Sequence, residues 1–156
     1  MNDPIGEAVA RLKAAQKQTE KAGKKTADQI KSTQDAHARV HRDVIRPTLQ
    51  SIVERVKKEN YEAVIGGGDY GTTLTVNTGE HFQRAACLHF VSPRGSTARI
   101  ISVTRDYGIG SDDHVNERVT SLDLDTTGQA AVKQLGEQFV AFIFDYTVAR
   151  TVPKKT

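Results

Sequence analysis

The sequence predicts an α+β fold: a long N-terminal helical segment, an antiparallel four- to five-stranded sheet, and a C-terminal packing helix. Three observations lead there. Before residue 60, glycine and β-branched runs are scarce and helix formers dominate. From Tyr61 the apolar period changes to two, and turn signals such as "GGGDYG", "SPRGS" and "DYGIGSDD" separate short runs. After residue 125 a helical period returns. The chain therefore divides into a basic helical and oligomerisation segment (1–60), a small α+β domain (61–150) and a loose tail (151–156).

Asp3 can cap the first helix and Pro4 can open it. Ile5, Val9 and Leu12 then recur at spacings of four and three, the start of a heptad seam. Carried on, the register passes through Gln16, Thr19, Gly23 and Thr26 to Ile30, Thr33, His37, Val40 and Val44. Its middle is polar and small. "EKAGKKTADQ" admits a straight helix or a helical hairpin, with Gly23 as a stop and Thr26 with Gln29 as a capping box.

Ile45, Leu49, Ile52 and Val56, with Val53 beside them, widen the seam into an apolar stripe. Pro47 removes the backbone bond to residue 43, which predicts a kink or a fresh start. The stripe from Val40 to Val56 exceeds what a lone helix needs, so another helical surface is expected to shield it. Ile5, Val9, Leu12, Ile30, Val40, Val44, Leu49 and Ile52 form the expected coiled-coil or partner interface.

In the domain, Tyr61, Ala63 and Ile65 share one parity, as do Leu74 and Val76. Ala86, Leu88 and Phe90 point opposite to Cys87 and His89. The near-continuous apolar character there predicts a central strand covered on both faces. Ile101 and Val103 share a face. A parity switch between Val119 and Leu122 predicts a bulge near Thr120–Ser121. Short links favour an antiparallel meander. Asp125, Thr126 or Thr127 can cap the last helix, which turns Val132, Leu135, Phe139, Phe142, Ile143 and Tyr146 to the core.

With one cysteine in 156 residues there is no internal disulfide, as suits a reducing compartment. No apolar leader follows Met1, and the run Phe139–Phe144 falls far short of the ~20 residues that cross a bilayer. A cytoplasmic protein without membrane contact is expected. Residues 1–60 carry net +5 and the rest −2, giving +3 overall. Arg11, Lys13, Lys17, Lys21, Lys24 and Lys25 form a basic run opposed only by Glu20. It reads first as a solvated helix face; weak, nonspecific nucleic-acid binding is the alternative, although no aromatic is interleaved to stack bases.

Gly66, Gly68 and Gly71 in "VIGGGDYGTT" spell G-x-G-x-x-G, yet β-branched residues follow where a dinucleotide fold needs a helix. Thr72 stands where a Walker loop needs lysine, and "HRD" precedes the glycines, against the kinase order. The stretch reads as a turn. His37 and His41 have metal-sharing spacing but no third ligand, and Cys87 and His89 share a strand face that could pair a thiol with a base. Asp112, Asp113, His114 and Glu117 gather in a loop without a calcium-site series.

No cofactor or metal is expected. The leading expectation is a non-enzymatic adaptor, homo-oligomeric through its N-terminal helices, presenting its domain to a protein partner. The alternative is a small ligand- or metal-binding, even catalytic, pocket around Cys87, His89 or Asp112–Glu117.

Overall fold

The computed structural model describes residues 3–77, 86–109 and 113–151. Its order is α1 (Pro4–Val40), a π-helical turn (His41–Ile45), α2 (Arg46–Lys58), β1 (Glu62–Gly68), β2 (Gly71–Asn77), β3 (Ala86–Val91), β4 (Ile100–Ile109), β5 (Asp113–Asp123) and α3 (Gln129–Thr151). The five strands form one antiparallel meander in chain order, and the fold is α+β. The tail beyond residue 151 and the "NTGEH" turn lie outside the described residues, as does Asp112.

The Asp3 carboxylate accepts from the Gly6 amide at 3.1 Å and closes the start of α1. The helix then runs through Gly23 without a break, which settles the hairpin alternative in favour of a straight helix. Glycine there costs about 1 kcal/mol relative to alanine, which the surrounding Ala, Lys and Glu absorb. Thr26 is no cap; its hydroxyl donates back to the Ala22 carbonyl at 3.0 Å.

Pro47 does disturb the helix, one turn earlier than its ring. The Arg46 amide reaches the His41 carbonyl, a wide i→i−5 closure. His37, His41, Ile45 and Leu49 are spaced by four, and in a regular helix each step would rotate by about 40°. The wide turn takes up that drift, and all four side chains are fully buried.

α2 packs on β1 and α3, and α3 reaches β2 and β3. Ile45, Leu49, Ile52, Val53 and Val56 join Leu74, Leu88, Phe90, Val103 and Ile143 in one core. This corrects the expectation that the ridge from Val40 to Val56 needs a foreign helix: Leu49 is 0% and Ile52 8% exposed within one chain. Val40 and Val44 pack against the same core. Sequence periodicity reports that a face is apolar, and α3 and the sheet supply its cover. Gly136 makes the fit possible, since a Cβ there would strike Ile52 and Leu49. The change at residue 60 is therefore one of secondary structure, and the core crosses it.

Among the described residues only one sheet face is covered, a second correction. Ala86, Leu88 and Phe90 are buried, whereas Cys87 and His89 are half-buried and Val91 is exposed. The β4–β5 register steps from Val103↔Thr120 to Thr104↔Arg118, so Val119 is the bulged residue, beside the expected position. The glycine stretch divides as well. Gly66, Gly67 and Gly68 belong to β1, and Asp69 and Tyr70 make the turn. Only Gly67, at φ +118°, needs glycine's freedom, and a Cβ there would meet the Gly71 carbonyl. Arg46 donates to the Gly68 carbonyl, and the Ser92 amide donates to the Tyr70 carbonyl at 2.8 Å. The loop is pinned to the body as a hairpin end. α3 begins after Gly128, whose carbonyl accepts from Val132 at 3.4 Å, later than the expected caps.

Candidate functional site

Three surfaces concentrate the chemistry. The first is the free arm. Every described residue from Asp3 to Gln29 is exposed, and at about 1.5 Å per residue the helix extends roughly 39 Å before it meets the body. Ile5, Val9 and Leu12 are 77%, 43% and 59% exposed, while Ile30 is half-buried at the arm's root. In the register that makes Ile5, Val9 and Leu12 the seam, Lys17, Lys21, Lys24 and Lys25 fall on the side turned away from it, whereas Lys13, one residue after Leu12, flanks it. Arg11, two heptads before Lys25, shares that outer position. The arm is thus two-sided, apolar at its tip on one side and cationic on the other.

The second surface is a cleft at the arm's root, about 650 Å³ in volume. Lys21, Lys24 and Lys25 line it from α1, and Thr97 and Arg99 face them from the segment before β4. Ser32, Thr33 and Gln29 add neutral polar groups, and Asp28 adds one carboxylate. Arg99 is fixed by a two-pronged pair with Asp125, at 2.8 and 2.5 Å. Hydrogen bonding to that guanidinium holds the Asp125 carboxyl below the usual range, and the same bond raises Arg99. Directly below, His37 bonds through Nε2 to the Ala98 carbonyl at 2.8 Å, anchoring α1 to this segment. Its Nδ1 is buried without a hydrogen-bond partner among the described residues.

His41 lies one turn on, fully buried. Its Nδ1 meets the Thr72 hydroxyl and its Nε2 the Ser92 hydroxyl, both at 2.8 Å. Burial above all, then the charges of Arg46 and His37, lowers its pKa from 6.5 to about 4. The two histidines therefore bind separate partners from separate strands and loops. Among the described residues no cluster of His, Cys, Asp or Glu is arranged to hold a metal.

The third surface is the open sheet face. Thr73 and Thr75 from β2, Cys87 and His89 from β3, and Thr104 and Asp106 from β4 meet in register across it. His89 Nδ1 pairs with the Thr73 hydroxyl at 2.9 Å, and Nε2 faces Asp106 at 3.8 Å. The Cys87 sulfur lies 3.5 Å from the Thr75 hydroxyl, and Asp106, which His89 Nε2 faces, pairs in register with Cys87. The acidic loop cannot be placed as a unit, since Asp112 and the side chains of Asp113 and His114 lie outside the described residues.

Sequence reasoning found the lysines of the cleft and the arm's apolar residues. It missed Thr97, Arg99 and Asp125, and the hydroxyl partners of His41. Those depend on pairings 26 or more residues apart along the chain, which no local period encodes. Comparison with known proteins finds no matching family model, no matching curated protein and no matching solved structure.

Proposed function

We propose that this chain is a non-enzymatic interaction protein that self-associates by pairing the exposed α1 arm of one copy with that of another. The observation that carries this reading is the run from Pro4 to Gln29, helical and wholly exposed, with Ile5, Val9 and Leu12 on one side. A single helix in water is marginal, and most helical stability comes from packing an apolar face. Pairing through that seam supplies the cover. It also turns the lysine row outward, so two cationic rows are not pressed together. The open sheet face, with Val64, Val91 and Ile100 about half exposed, is then left for a protein partner.

Light scattering on the full chain tests the self-association. The wild type is expected to be at least a dimer, and a variant carrying Ile5→Glu and Leu12→Glu a folded monomer. A wild type that stays monomeric at every concentration would remove the proposal.

A further inference from the structure

The arm-root cleft is separate from the seam used above. Its lining lysines lie about 200° around α1 from the Thr19–Gly23–Thr26 row, so arm pairing leaves it open. Three ammonium groups and one guanidinium converge on it from two sides of the molecule, against the single carboxylate of Asp28. Among the residues that line it Asp28 is the one carboxylate, and Asp125, already bonded to Arg99, and Asp123 act on that guanidinium from beside it.

We infer that this cleft binds a small ligand carrying two or more phosphoryl groups. The depression is open to solvent over most of its extent, and its volume of about 650 Å³ is enough for a small polyanion. Arg99 is pre-set by Asp125 through its Nε and one terminal nitrogen, which leaves further N–H groups for an incoming oxyanion. Lys21, Lys24 and Lys25 supply mobile point charges opposite it. Ser32, Thr33 and Thr97 add hydroxyl donors suited to phosphoryl oxygens. Among the described residues no aromatic side chain lines the space to stack a base, and Asp28 interrupts what would otherwise be a continuous cationic track. These features favour a compact polyanion over a nucleic-acid strand. The glycine stretch plays no part in it.

Isothermal titration of the full chain with inorganic tripolyphosphate tests the inference, using Lys21→Gln with Lys25→Gln as the cleft variant. Lys17→Gln serves as the control, one turn before Lys21 on the same row but outside the cleft. The expected result is saturable binding of one tripolyphosphate per chain, weakened about tenfold or more by the cleft variant and little by the control. No binding, or equal loss in both variants, would overturn it. So would a single-stranded oligonucleotide binding more tightly than tripolyphosphate, since that result assigns the charge to nucleic acid. Light scattering on the same samples keeps this outcome distinct from the arm-pairing test.

Discussion

His41 occupies the point where the wide helical turn meets β2 and Ser92, and it stays uncharged there because burial withholds water from an imidazolium. An unfolded chain takes up this proton near pH 6.5, the folded one only near 4. Stability from this residue is therefore complete above pH 6.5 and drains away as pH falls toward 4, by about 3 kcal/mol in all. Urea unfolding between pH 7 and 4.5 is expected to show that decline, and His41→Gln to flatten it. Equal slopes in both proteins would contradict the assignment. Gly67 makes a second residue-scale case. With φ +118° and the Gly71 carbonyl in the way, Gly67→Ala should cost about 1–3 kcal/mol, whereas Gly66→Ala, with open space around it, should cost far less. Thermal melts of the two variants compare them directly.

At the scale of elements, the helices show what a periodic pattern contains and what it omits. The seam from Ile5 to Val44 was legible as one register, and α1 does run straight along it. The same register changes meaning near Ile30, exposed before it and buried after Thr33. Nothing in the spacing marks that change, because burial depends on where the sheet lies. Leu49→Ala should therefore cost about 2–5 kcal/mol of protomer stability, while Leu12→Ala should alter it by less than about 0.5 kcal/mol. Denaturant unfolding at a concentration low enough to keep protomers apart separates these values. The strands were read well because one buried face leaves a clean alternation; β3 misled because Cys87 and Val91 are apolar yet lie on the open face. The glycine stretch shows the converse: a familiar spacing arises from a strand end and a two-residue turn.

Across the whole molecule, helices, meander and packing helix follow from composition and period, so the α+β architecture was within reach of the sequence. The cleft was half legible: its lysines sit in one local run, but Thr97 and Arg99 arrive only through the path of the chain into β4. The described body from Ile30 onward closes its own core, whereas the arm and the open sheet face are left without cover among the described residues. Hydrogen exchange of the full chain, followed over a range of protein concentrations, tests this most directly. The account predicts that amides in residues 5–16 gain protection as concentration rises, while those of α2 and β2 stay constant. Arm amides that exchange at unprotected rates at every concentration would contradict it.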